Sequence, residues 1–179
     1  MKIALFGGTF NPPHKGHAQI VAHLLEKGFN QIWIIPCWRH PMNKDCLPFW
    51  DRFHLCRLAF GKMASVRIKD IERRLHSDHS WTIDTVRYLC KKYPQHQFTL
   101  VLGQDNYEQR QKWKNFNEIE RLISLYTVPR GPASFIEDVA SQEIRKKMAN
   151  GQDVRALIPE KVSFYCRRRG YFLSKTLTR

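Results

Sequence analysis

An open α/β fold, with a mainly parallel sheet flanked by helices, is predicted for this 179-residue chain by three observations. Apolar runs of strand length recur at 2–6, 31–35, around 66–69, at 98–102 and at 124–128. Segments of helical periodicity separate most of them, and strands alternating with helices are the signature of a parallel sheet. The first strand runs straight into GGTFNPPHKGH, residues 7–17, a glycine-rich turn that feeds a helix.

Each element has its own local reason. The helix expected at 15–27 puts Ile20, Val21, Leu24 and Leu25 on one face and stops at Gly28. Others are expected at 49–60, at 83–93 closed by Pro94, and at 141–150 closed by Gly151. Pro159 suits the first turn of a last helix ending at Gly170. Residues 36–48, PCWRHPMNKDCLP, have the length and mixed chemistry of a loop over a ligand cleft, the plainer alternative being a surface loop. Its position after a strand favours the cleft, because in open parallel sheets ligands lie beyond the carboxyl ends of the strands.

The length and the 42% hydrophobic content suit one core, and no Ser/Gly/Pro-rich linker divides the chain. A single domain over 1–179 is expected, ending in a basic tail at about 171–179. No apolar stretch approaches a membrane span and no signal-peptide pattern opens the chain, so a soluble, cytoplasmic protein is expected. Five scattered cysteines without a C-x-x-C pair suggest neither a disulfide framework nor a zinc ribbon. The net charge of +14 favours anionic partners. The arginine run 167–169 sits where basic residues complement a helix end, and no strand carries the interleaved aromatics of an RNA-binding motif. Nucleic acid and membrane are therefore not expected partners.

In GGTFNPPHKGH the glycines allow close backbone approach, and Pro12 and Pro13 stiffen the turn. His14 and His17, three residues apart, share one face of the helical turn and can point at one object, a metal ion or an anion. No third ligand stands at a recognisable metal spacing, so phosphate is favoured. The segment is neither a Walker loop nor a G-x-G-x-x-G fingerprint.

These residues resemble the (H/T)-x-G-H signature of the nucleotidyltransferase superfamily. Later segments narrow the resemblance to bacterial nicotinate-nucleotide adenylyltransferases: SWTIDT at 80–85 is similar to S-Y-T-I-D-T, and VLGQD at 101–105 to a strand ending in I-G-A-D. Lys112-Trp113 resembles P-K-W, VPRGP at 128–132 resembles V-x-R-P-G, and ASQEIR at 140–145 resembles S-S-T-x-I-R. VRALIPEKVSFY, from Val154, is similar to the closing segment, so the likeness runs nearly end to end.

The resemblance implies a Rossmann-like, doubly wound fold and adenylyl transfer from ATP to nicotinate mononucleotide in NAD biosynthesis, with pyrophosphate leaving. His14, His17 and Arg145 would be catalytic, with the backbone of Gly8, Thr9 and Phe10 and the helix start at Ser141 also holding phosphates. From spacing alone Arg145 reads as an exposed helix arginine. Asp105 would accept hydrogen bonds from the adenosine ribose, with Gly103 leaving room, although a plain loop aspartate is the alternative. Trp113 would stack on the pyridine ring and the 80–82 backbone, Thr82 included, would read the nicotinate carboxylate. A tryptophan there also suits the core. Lys44 and Arg130 complete the acceptor side. A magnesium ion is implied with ATP, held mostly by phosphates and water. Other acceptors, nicotinamide mononucleotide or phosphopantetheine, and a non-catalytic nucleotide-binding relative are the alternatives; a homo-oligomer is left open.

The sequence departs from the family pattern in three places. Ala140 and Gln142 replace a serine and a threonine, the 131–139 segment is short, and only Lys44 corresponds clearly to the family's P-P-H-K. LSKTLTR at 173–179 also fits S-x-T-x-x-R, but segment order assigns that motif to 140–145.

Overall fold

The computed structural model describes residues 1–40, 45–75, 78–129, 134–137 and 139–173. Its five strands are β1 (Lys2–Gly8), β2 (Gln31–Pro36), β3 (Val66–Ile68), β4 (Gln97–Gly103) and β5 (Ser124–Val128). They pair in the order β3-β2-β1-β4-β5, and every pairing is parallel. Strand order reverses between β1 and β4, so their carboxyl ends, at Gly8 and Gly103, flank the crevice where ligands bind in such sheets.

Alternation along the strands sends successive side chains to opposite faces. Ala4, Phe6, Ile32 and Ile34 meet α1 (Lys15–Glu26) and α2 (Phe49–Phe60) through Val21, Leu24, Cys56 and Phe60. Ile3, Leu5, Leu100 and Leu102 meet the other helical layer, α3 (Ile71–Arg74), α4 (Thr82–Lys92) and α6 (Phe116–Leu122). Between β4 and α6 lie α5 (Gln104–Glu108) and a 3-10 turn, Arg110–Lys112. A third apolar cluster joins Leu55 of α2 to α7 (Ser141–Ala149) and α8 (Glu160–Arg168).

The expected strands and long helices are present with shifts of one or two residues at their ends. Periodicity missed α3, α5 and α6, which are too short to display it; α6 buries only Phe116 and Ile119. Within the short 131–139 segment, the described residues dock on α1: Phe135 stacks on His23 with ring centroids 3.8 Å apart, and Glu137 N–H donates to Gln19 Oε1 at 2.9 Å. Lys44, Arg130 and the tail residues 174–179 lie outside the described residues. No helix among the described residues is long and apolar enough to cross a membrane.

Candidate active site

The segment after β1 is folded onto itself and onto α7. Phe10 takes a left-handed backbone (φ 50°), and its ring is buried against Phe6, Phe60 and His17, so its side chain belongs to the core. A ligand contact from Phe10 is left to its backbone. A methyl group on Gly8 would come within 3.2 Å of that ring, which explains the second glycine as a close-packing requirement. Gly8 also accepts the Cys37 N–H at 2.9 Å, extending the β1–β2 ladder past the sheet.

His14 caps α1 and His17 stands one turn along, with ring centroids 3.6 Å apart. The His14 backbone N–H donates to His17 Nδ1 at 3.1 Å. With Nδ1 an acceptor, Nε2 is the N–H donor of that ring. Gly16, between them, is where a side chain would press on the His14 ring.

Helix α7 leans on the same segment from the far side of the chain. Arg145 Nη1 donates to the Asn11 carbonyl at 2.8 Å and Ser141 Oγ to the Pro12 carbonyl at 2.9 Å. Thus the hydroxyl proton of Ser141 is committed to the protein, and only its position at the first turn of a helix is left to favour an anion. Arg145 spends one nitrogen of its fork on Asn11. Residues 131 positions apart in sequence, His14 and Arg145, are thereby attached to one loop.

Gly103 and Asp105 follow at the carboxyl end of β4, where Gly103 is the N-cap of α5 and Asp105 lies exposed in its first turn. Thr82 begins α4. The expectation that the backbone of 80–82 is free for a ligand needs correction: the Ser80 N–H donates to the Arg39 carbonyl at 2.9 Å and that of Trp81 to His79 at 3.1 Å. Thr82 stands at the start of α4, where backbone N–H groups point out of the helix. Trp113 is half-buried and meets Phe116 edge-on at 5.7 Å, while its remaining surface lines an open depression with Arg110 and Asn115. Its packing on Phe116 fits the core reading.

Two residues not singled out from sequence organise these loops. Arg52 of α2 is buried, 2% exposed, and its hydrogen bonds among the described residues run to backbone carbonyls of Leu47, Thr9 and Cys37. Glu72 of α3 accepts the Trp38 N–H at 3.0 Å; burial pushes its carboxyl above the usual range, against the pull of Ser80, Trp38, Cys37 and Arg52. Cys37 beside it is driven up to about 12, mainly by burial and next by the Glu72 charge. The readable signal for Arg52 was its place on the buried face of α2, with Phe49, Leu55, Cys56 and Phe60. Among the described residues, no group of three or more His, Cys, Asp or Glu could hold a metal ion.

Known proteins fit this geometry. The cytidylyltransferase-like family matches residues 5–154. A relative from Anaeromyxobacter sp. (strain K), named a probable nicotinate-nucleotide adenylyltransferase, is 36% identical over 96% of both chains. One of the same name from Geobacillus thermodenitrificans is 31% identical over 98% of this chain and 88% of its own. A solved structure from Vibrio parahaemolyticus, described as a nicotinate-nucleotide adenylyltransferase, superposes with a TM-score of 0.78 at 25% identity, covering 96% of this chain and 94% of its own. A Plasmodium falciparum nicotinic acid mononucleotide adenylyltransferase complexed with NaAD shares the fold, with a TM-score of 0.80 at 18% identity over 96% and 97% of the two chains. On these matches and this fold, the chain belongs to the cytidylyltransferase-like family, among the nicotinate-nucleotide adenylyltransferases.

Proposed function

We propose that this chain, acting as one nucleotidyltransferase domain, transfers the adenylyl group of ATP to nicotinate mononucleotide in NAD biosynthesis. The mononucleotide phosphate attacks the α-phosphorus, pyrophosphate leaves, and the dinucleotide forms. The observation that carries this reading is the convergence of His14, His17, Ser141 and Arg145 on the loop at the β1/β4 crossover. The choice of acceptor rests on the near-full-length similarity to relatives of that name.

The transfer needs alignment and positive partners for charge growing on phosphate oxygens, not a protein nucleophile. His17 Nε2–H is a preset donor because Nδ1 is occupied. The His14 ring packs against it, and the Arg145 fork, anchored through Nη1 on Asn11, suits the β and γ phosphates. The backbone of Gly8, Thr9 and Phe10 completes the cradle. Asp105 at the end of β4 suits a ribose hydroxyl, with Gly103 giving access. Thr82, Trp113, Lys44 and Arg130 are assigned to the acceptor. The donor set at the crevice is imidazole, guanidinium and N–H, and no acidic group of metal-binding size gathers among the described residues. A magnesium ion brought by ATP would be held by phosphate and water rather than by these residues, and would supply neutralisation of phosphate charge. A cytoplasmic setting goes with these substrates.

The test is pyrophosphate release from ATP and magnesium with nicotinate mononucleotide, nicotinamide mononucleotide and phosphopantetheine in parallel. Turnover is expected to be fastest with the first. No turnover with nicotinate mononucleotide would overturn the proposal. In His17→Ala the barrier should rise by about 2–4 kcal/mol with the fold intact, as for loss of one preset donor to a transition-state oxyanion.

A further inference from the structure

Arg52 is a buried cation whose hydrogen bonds among the described residues go to neutral oxygens. Nε donates to Leu47 at 2.8 Å, Nη1 to Thr9 at 2.9 Å and Nη2 to Cys37 at 2.7 Å. Three separate segments therefore share one planar fork: the phosphate-side loop after β1, the end of β2, and the approach to α2. All three lie past the strand ends at the carboxyl edge of the sheet, where Cys37 still donates one ladder bond to Gly8. Among the described residues no carboxylate pairs directly with this guanidinium, and burying a cation without an ionic partner is costly.

A trans peptide unit points its carbonyl and the following N–H in opposite directions. Holding the Thr9 carbonyl from the α2 side turns the Phe10 N–H away from the guanidinium. The Cys37–Trp38 peptide is held from both ends: Arg52 takes its carbonyl, and Glu72 Oε2 accepts its N–H at 3.0 Å. One peptide plane thus separates a buried cation from a buried carboxyl. Arg39, next after Trp38, ties this peptide to Ser80: its N–H donates to Ser80 Oγ at 3.0 Å and its carbonyl accepts the Ser80 N–H at 2.9 Å. Ser80 leads directly into Thr82 at the start of α4.

We propose that Arg52 is a positioning residue that fixes the phosphate-side loop at Thr9–Phe10 and the acceptor-side residues 80–82 in one frame, through the Cys37–Trp38 peptide and Glu72. It touches no substrate. It sets the distance between the two sites whose ligands must meet in line, and this role rests on the adenylyl-transfer reading given above.

Arg52→Lys keeps the charge but replaces a planar fork by a point donor that cannot hold three divergent carbonyls. Expected for the folded variant is a fall in kcat of about 100-fold, the cost of an ångström-scale misplacement of reacting groups. KM for nicotinate mononucleotide should change only a few-fold, while ATP, which meets the Thr9–Phe10 loop, should bind about tenfold more weakly. In Arg52→Ala, millimolar guanidinium should restore part of kcat while leaving the wild type unaffected. Glu72→Gln, which retains an acceptor for Trp38, should lose less than Arg52→Lys.

A purely structural arginine would lower the melting temperature but leave kcat per folded molecule at the wild-type value in Arg52→Lys, without guanidinium rescue. That result would overturn the proposal. If the wild-type protein fails to use nicotinate mononucleotide, the functional reading is what fails. ATP affinity then decides for Arg52: a Kd raised about tenfold in Arg52→Lys supports the positioning of the Thr9–Phe10 loop, and an unchanged Kd overturns it.

Discussion

Replacing Gly16 by alanine should separate stability from catalysis. A methyl group there would lie 3.2 Å from both Cε1 and Nδ1 of His14 and 3.5 Å from the Glu137 carbonyl. Contacts of 3.2 Å are a few tenths of an ångström too short, so something must give. His14 is 7% exposed and has the His17 ring on it at 3.6 Å, so a recoiling His14 carries the pair with it. Gly16 sits in the first turn of α1, and alanine in a compatible backbone stabilises by about 0.4–1 kcal/mol through the unfolded chain. That gain and the contact strain are of similar size, so the melting temperature should move by no more than about 4 °C. A shift of the imidazoles by roughly half an ångström should lower kcat about tenfold, given that a full ångström costs about 100-fold. Thermal unfolding and steady-state pyrophosphate release on one preparation read both quantities. Wild-type kcat in Gly16→Ala would refute the reasoning, as would loss of the fold.

Other outcomes follow from the same geometry. Trp113→Ala should raise KM for nicotinate mononucleotide about tenfold and leave KM for ATP within a factor of two, consistent with loss of about 1.4 kcal/mol of ring stacking; equal changes in both would place the effect in its packing on Phe116. Burial lifts the Cys37 thiol from 9.0 to about 12, so at pH 8 its thiolate is scarcer by about 1,000-fold. Pulse labelling with iodoacetamide and peptide mass spectrometry should find Cys37 unmodified in the native protein and modified in denaturant. Asp153 is hydrogen-bonded by Arg155, which holds its carboxyl down at about 2, from 3.8. A depressed acid contributes stability above its unfolded pKa and loses it as pH falls, so Asp153→Asn should flatten the stability profile between about pH 4 and pH 2. Urea unfolding across that range checks it.

What could be read in the sequence was what periodicity and turn chemistry carry. The strands and long helices are each long enough to show an apolar face, and the strand-glycine-proline-histidine run announces a ligand turn before any fold is known. Convergence was not legible from spacing. Nothing in the distance from His14 to Arg145 says that both attach to residues 11–14, because that proximity is made by α7 packing on α2 through Leu55, Ile144 and Met148. Resemblance supplied Arg145 where spacing alone favoured a surface arginine. Hydrogen-bond commitments were hidden for a related reason. Ser80 looked available for a ligand, yet its N–H donates to the Arg39 carbonyl and its hydroxyl oxygen accepts the Arg39 N–H, a partner from a distant segment. Arg52 is the sharpest case: one arginine on the apolar face of a predicted helix reads as an exception to the pattern until its three carbonyl partners are seen.

The most direct measurement is to incubate the protein with ATP, magnesium and nicotinate mononucleotide and to quantify both products by mass spectrometry. The account predicts one pyrophosphate for each dinucleotide formed, with production lost in His17→Ala while circular dichroism is unchanged. Pyrophosphate without dinucleotide, or wild-type production in folded His17→Ala, would contradict it.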